Sequence, residues 1–301
     1  MMKKTIVFGI LAIGAVLYFT PATEFSLKRV AKASTEKWTV RPLTPENEKI
    51  IQAKVSEPFH YIGRGAQAYV FFSKDGTTVL KLFKKKRFEI PAWMRLLPRL
   101  PYKTKKILSK RENLIKDFTS YQIAYNELQQ QTGLLLVHLD SVPLHYTVTI
   151  IDQRQKPHQI NLSDYAFILQ KRGELVYSTL DRYVKEENTT AAKESLTSLV
   201  HLLKERCDKG IADRDPNFRK NYAFMGTKAI EIDIGRFSLA PIHAPIIPKD
   251  FKAWLQTLSP ELHSHFEQEY LSVFNPTLQQ GIQGDDVLIS DGAEKTTQQT
   301  Q

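Results

Sequence analysis

The chain has 301 residues, 42% of them hydrophobic, and its 42 Lys and Arg against 32 Asp and Glu give a formal charge of +10. That much apolar material excludes a disordered protein and suits one large or two small domains. The single cysteine, Cys207, excludes an intramolecular disulfide and is expected in a core, and the eight histidines fall at no spacing that matches a metal site.

Met1-Met2-Lys3-Lys4 precedes an uncharged apolar run from Thr5 to about Thr20, closed by Pro21. Residues 1–24 therefore read as a signal peptide or a membrane anchor. The run has the length of a signal-peptide core, but the residues around Ala22 make a poor cleavage site. Lys28, Arg29, Lys32 and Lys37 follow it, a bias that keeps the C-terminal side cytoplasmic. The expectation is a single-pass N-terminal membrane anchor with a cytoplasmic body, or a secreted protein if the segment is cleaved. Residues 25–60 read as a lead-in in which Pro42, Pro45 and Pro58 break any long helix.

Gly63-Arg64-Gly65-Ala66-Gln67-Ala68-Tyr69-Val70 is a glycine-rich turn that runs into a strand. Glycines without Cβ let backbone N–H groups approach an anion. A dinucleotide-binding turn or a Walker loop would open a helix next. Instead Tyr69 to Phe72 is aromatic and β-branched, Lys74-Asp75-Gly76 is a hairpin turn, and Thr77 to Phe83 is a second strand carrying Lys81. The arrangement resembles the protein kinase superfamily, whose loop reads G-x-G-x-x-G-x-V and whose next strand carries a phosphate-binding lysine. Ala68 stands where the third glycine would be. The resemblance implies that Gly63, Arg64, Gly65, Ala68, Val70 and Lys81 hold ATP.

From 84 to 116 there are twelve Lys or Arg against Glu89 and Glu112, so this window's +10 equals the charge of the whole chain. With Trp93 and its neighbouring leucines, Lys84 to Lys116 reads as a basic insert that meets an anionic membrane surface. A solvated surface insertion is the plainer alternative. No nucleic-acid-binding motif accompanies the charge, so nucleic acid is not the expected partner.

A helix is expected from Phe118 to Gln131, ended by Thr132-Gly133. In a kinase this helix brings an acid to the strand lysine; Glu127 is the candidate and Glu112 the fallback. Leu134 to Leu139, Tyr146 to Ile151 and Tyr165 to Leu169 read as strands, with 152–157 as a turn. Gln170-Lys171-Arg172-Gly173 falls where a kinase links its lobes. Ala191 to Arg206 has one apolar face, Leu196, Leu199, Val200, Leu203 and Cys207, and Gly210 stops it.

Asp213-Arg214-Asp215-Pro216-Asn217 through Asn221 then resembles a kinase catalytic loop, with Asp213 in the place of histidine. Asp233-Ile234-Gly235 resembles its D-F-G. The resemblance implies Asp215 as base, helped by Lys81 and Glu127, with Asn221 and Asp233 holding Mg2+. Asn221 lies one position too far from Asp215, which leaves Asn217 as an alternative ligand and leaves the roles of Asp213 and Asp215 exchangeable. An Asx turn is the alternative for both aspartates. No peptide-docking anchor follows Gly235, so the substrate, small molecule or protein, is not named by the sequence. A helical region spans Asp250 to Phe274, and 275–301, rich in Gln and Thr, reads as a disordered tail.

The expected fold is α+β: a two-lobed protein kinase-like fold with a small antiparallel sheet lobe (61–173), a helical lobe (174–274) and an N-terminal hydrophobic segment. The implied function is ATP- and Mg2+-dependent phosphoryl transfer at a membrane. The alternative is a pseudokinase, a nucleotide-sensing or non-catalytic binding module.

Overall fold

The computed structural model describes residues 25–96, 98, 101–242 and 244–274. The expected anchor and tail lie outside these. Among the described residues no helix is long and apolar enough to cross a membrane. The chain is α+β and divides into two compact units: one of residues through Lys37, Lys49–Arg111 and His138–Ile168, the other of Trp38–Glu48, Glu112–Val137 and the chain from Leu169 on.

The first unit is built on β1 (Phe59–Arg64), β2 (Ala68–Ser73) and β3 (Thr78–Phe83), an antiparallel meander. The hairpin expected at Lys74-Asp75-Gly76 forms. Gly76 takes φ 69° and Asp75 Oδ1 accepts from Ser73 Oγ at 2.6 Å and from the Thr77 N–H at 3.1 Å. Lys54 pairs with the same carboxylate and, with these hydroxyls, holds it well below the usual range. Beyond β1 lie β5 (Thr147–Ile151) and β6 (Pro157–Asn161); the residues of β4 (Leu134–His138) and β7 (Phe167–Lys171) are divided between the two units' ranges.

The sheet is mixed, not antiparallel as expected, because β1 pairs with β5 in parallel, Phe59 opposite Ile150. No local signal specifies such a long-range pairing. Strand β6 also begins within the expected turn: Gln155 adopts φ 60°, Asp152 accepts from the Arg154 and Lys156 N–H groups, and the chain reverses early. Pro157 is tolerated there because β6 is the edge strand. The rings of Tyr61, Tyr69 and Phe71 gather around Phe25, with centroids 5.0 Å apart for Phe25 and Phe71.

Helix α1 (Pro45–Val55) forms within the lead-in. Pro45 does not break it, because it occupies the first helical turn, where its missing N–H costs nothing, and Thr44 Oγ1 accepts from the Asn47 N–H at 3.2 Å. The basic segment forms α2 (Lys85–Phe88), α3 (Ala92–Arg95) and the first turns of α4 (Pro101–Glu127). The helix expected to begin at Phe118 therefore starts well before it. Pro101 again stands at the start, and Lys, Leu, Ile and Glu carry it without a breaker. A turn of helix, α5 (Gln129–Thr132), ends on Gly133 at φ 63°, as the sequence suggests.

The second unit packs α6 (Val176–Lys185), α7 (Thr189–Asp208), α8 (Lys249–Leu258) and α9 (Pro260–Phe274) around one core. Asn188 caps α7 by accepting from the Ala191 N–H at 3.1 Å. The apolar face read from sequence, Leu196, Leu199, Val200, Leu203 and Cys207, is buried against Phe218, Phe251 and Phe266. Each such aliphatic chain contributes about 1.5–3 kcal/mol. Ser259 and Pro260 split the final helical region in two. Strands β8 (Glu174–Leu175), β10 (Tyr222–Met225) and β11 (Lys228–Glu231) form one sheet, and β9 (Ile211–Asp213) pairs with β12 (Phe237–Leu239). Gly173 is required by close approach, since a Cβ there would sit 2.8 Å from that of Ala223.

Candidate functional site

Gly63, Arg64, Gly65, Ala68, Val70 and Lys81 belong to the first unit, and Glu127, Asp215, Asn221 and Asp233 to the second. In the first, the glycine turn joins β1 to β2. Neither Gly63 nor Gly65 has a positive φ, and a Cβ on either would meet nothing within 4 Å, so the fold itself does not demand glycine at these positions. The space they leave open fits an approaching ligand. The Gly65 N–H is already used, donating to the Ala68 carbonyl at 3.0 Å. Val70 lies opposite Lys81 on β3, and Lys81 is half-buried.

A second lysine, not assigned from sequence, braces this turn. Lys84 is 3% exposed; its ammonium donates to the Gly65 carbonyl and lies 5.3 Å from the centre of the Tyr69 ring. Burial, with repulsion from Arg64 and Lys86, pulls its pKa down to about 8. Nothing in a run of four basic residues marks which one turns inward.

In the second unit, β9 delivers Asp213 and Asp215, and the chain then loops to Asn221 at the start of β10. The Asn221 side-chain N–H donates to the Asp215 carbonyl at 2.6 Å, and the Asn221 carbonyl accepts from Ile232 at 2.7 Å. The longer spacing of the loop is absorbed by an internal turn, with the Asn217 N–H donating to the Asp215 carbonyl at 2.7 Å and the Asn221 N–H to the Asn217 carbonyl at 2.8 Å. With its N–H engaged, the Asn221 amide oxygen remains as a hard donor. Asp215 and Asp233 are exposed carboxylates, Asp233 two residues after β11. Asn221 and Asp233 each carry the hard oxygen that Mg2+ prefers, an ion that takes only one or two protein oxygens and completes its shell with water and phosphate. Among the described residues no cluster of three or more His, Cys, Asp or Glu could hold a metal by itself.

Asp213 and Asp215 prove distinct. The Asp213 side chain is fully buried; one oxygen accepts from the Asp215 N–H at 2.9 Å and the other lies 3.7 Å from Arg206. Arg206, 2% exposed, donates to Glu231 at 2.7 Å and to Tyr222 Oη at 2.7 Å. Burial pushes both carboxyl groups up, Glu231 to about 8, although Arg206 opposes the shift. This cluster lies directly beneath the Asp215 loop and ties it to α7 and β11.

Ser120 of α4 holds the segment after Asp233. Its hydroxyl donates to the Ile234 carbonyl and accepts from the Phe237 N–H at 2.7 Å, with no exposure at all. On the same helix Glu127 is exposed at the last position, its carbonyl accepting from Lys209, whereas Asp117 is 0% exposed. A fully buried carboxylate needs a cation or several donors. Asp117, Ser120, Tyr121, Ala124 and Tyr125 form one buried stripe at helical spacing, a signal that appears once the helix is taken back past Phe118. A separate cavity of about 330 Å3 in this unit, lined by Gln129, Gly133, Lys171, Met225 and Lys228 among others, contains none of the site residues.

No family model matches the chain, and no curated protein matches it. Among solved structures it is similar to the bifunctional kinase-methyltransferase WbdD, at 15% identity over 74% of this chain and 48% of that one, with a TM-score of 0.31. It is also similar to Rv3197 of Mycobacterium tuberculosis, solved with erythromycin, at 10% identity over 76% of this chain and 60% of that one, with a TM-score of 0.32. The chain spans about half the length of WbdD. No residue role rests on these distant likenesses.

Proposed function

We propose that the protein is an ATP- and Mg2+-dependent phosphotransferase of protein kinase-like fold, acting on a hydroxyl of a small molecule or protein and tethered to a membrane by its N-terminal segment. The observation that carries this reading is the Asp215–Asn221 loop, closed by the 2.6 Å hydrogen bond and followed after one hairpin by Asp233 and Gly235. Such a loop offers the exposed carboxylate of Asp215 for a hydroxyl and the Asn221 amide oxygen for a metal, with the Asp233 carboxylate following after β11. Asp215 would take the proton of the attacking hydroxyl, and Asn221 and Asp233 would hold Mg2+, which would supply charge to screen the phosphate oxygens. The glycine turn and Lys81 are assigned to the ATP phosphates. Of the acids on α4, burial favours Asp117 over Glu127 for holding a cation.

The reading is tested by transfer of the ATP γ-phosphate, or its slow hydrolysis, by the full chain. Lys81→Ala, Asp215→Asn and Asp233→Ala should each abolish turnover in folded protein. Turnover unchanged in all three would overturn the site assignment, and nucleotide binding without turnover in the native chain would favour the pseudokinase.

A further inference from the structure

The first unit holds a buried cation that the phosphotransfer reading does not use. Lys84 follows β3 directly, is 3% exposed and is fixed by an antiparallel bridge to Val30. Both of its donors reach the glycine turn: the backbone N–H donates to the Gln67 carbonyl at 2.8 Å, and the ammonium donates to the Gly65 carbonyl. A trans peptide sets its carbonyl and its N–H on opposite sides, and no peptide among the described residues is cis. Holding the Gly65 carbonyl therefore turns the Ala66 N–H away from Lys84. The Gly65 N–H is spent on the Ala68 carbonyl, so Ala66 supplies a donor that the turn can offer to an anion. The space beyond Gly63 and Gly65, where a Cβ would meet nothing within 4 Å, is open to one.

We propose that Lys84 is the positioning residue of the glycine turn, its ammonium holding the Gly65 carbonyl so that the turn presents the Ala66 N–H to the phosphates of ATP. Given the phosphotransfer reading, on which this rests, the turn takes the nucleotide and the buried Lys84 acts through it. The groups around the ammonium are the Tyr69 ring, its centre 5.3 Å away, Arg64 in the turn itself and Lys86 of α2; Arg29 acts with Arg64 on the Tyr69 hydroxyl. Burial first, then the two cations, bring the Lys84 pKa down to about 8, while Tyr69, pushed up by burial, stays neutral there. From about pH 7 to about pH 9 the charged share of such a lysine falls from about nine-tenths to about one-tenth. A charged donor bonds about twice as strongly as a neutral one, so the hold on Gly65 weakens over that range.

The test uses the full chain, held in a neutral detergent. Without nucleotide, the backbone amide NMR shifts of Gly65, Ala66 and Gln67 should titrate together with a midpoint near 8. The affinity for ATP with Mg2+, by calorimetry, should fall about tenfold from about pH 7 to about pH 9, in step with the charged share of Lys84. The terminal phosphate of ATP titrates at about 6 and adds little over this range. Lys84→Met removes the donor at similar length and should lose both dependences, whereas Glu231, which titrates near 8 in the other unit, is left in place. Turn amides that do not titrate, or the same dependences in Lys84→Met, would overturn the role of Lys84. The measurements on the native chain decide this even where the variant does not fold. Titrating amides beside an ATP affinity that ignores pH would overturn the role of Lys84 alone, and no ATP binding at either pH would overturn the phosphotransfer reading beneath it.

Discussion

The side-chain amide of Asn221 donates to the backbone carbonyl of Asp215 at 2.6 Å, fixing the position of the exposed aspartate from six residues away. Asn221 is itself buried, and its backbone also accepts from Ile232 just before Asp233. One residue thus couples the two loops that carry the proposed chemistry. Asn221→Ala should cost about 1–3 kcal/mol of stability, from the unpaired carbonyl, and at least about tenfold in turnover. Denaturant midpoints and turnover at a temperature where the variant is folded check both; stability lost with turnover intact would make Asn221 a structural residue only.

Ser120→Ala leaves the buried Ile234 carbonyl and Phe237 N–H without their hydroxyl partner. A loss of about 1–3 kcal/mol is expected. Because these two groups bracket Gly235, amide hydrogen exchange at Ile234 to Phe237 should accelerate selectively, and turnover should fall with it. Exchange that rises evenly over the second unit would instead indicate general destabilisation.

How much of this was legible in the sequence depends on how local the cause is. The Asp75-Gly76 hairpin, the Gly133 stop and the face of α7 follow from short-range chemistry, while Asp215, Asn221 and Asp233 take their proposed roles from the order and spacing of a resemblance. The parallel pairing of Phe59 with Ile150 has no local signature, and Thr44 with Pro45 starts a helix in a segment whose prolines argue against one. The buried acid Asp117 was hidden by a helix start placed too late. Lys84 differs from its basic neighbours only in the direction the chain takes after β3.

The acids of α4 separate by burial. Asp117→Asn should destabilise by about 3–5 kcal/mol if its carboxylate is charge-paired, whereas the exposed Glu127→Gln should change stability by about 0.5 kcal/mol at most. Urea unfolding of the two variants measures this directly. A larger effect from Glu127→Gln would contradict this separation by burial.

The Arg206–Glu231–Asp213 cluster should make stability depend on pH. Burial raises Glu231 above its unfolded value, to about 8, so the folded chain holds a proton that the unfolded chain releases. Its contribution is full below the ordinary glutamate range of about 4.3 and is lost as pH rises towards 8. Glu231→Gln should flatten the decline in urea midpoint between those values. Arg206→Met, which leaves the carboxyl groups without their cation, should cost about 3–5 kcal/mol near neutral pH.

The central claim is that the chain binds ATP through Mg2+ held by Asp233. Its most direct test is the melting temperature of the full chain with ATP, with and without Mg2+, for the native protein and Asp233→Ala. At a hundredfold excess over Kd, binding stabilises by about 2.7 kcal/mol, a rise of about 5–10 °C for a chain of this size. The account predicts that rise in the native protein with Mg2+ present and its loss in Asp233→Ala. No shift with ATP under any condition, or an equal shift in both proteins, would contradict it.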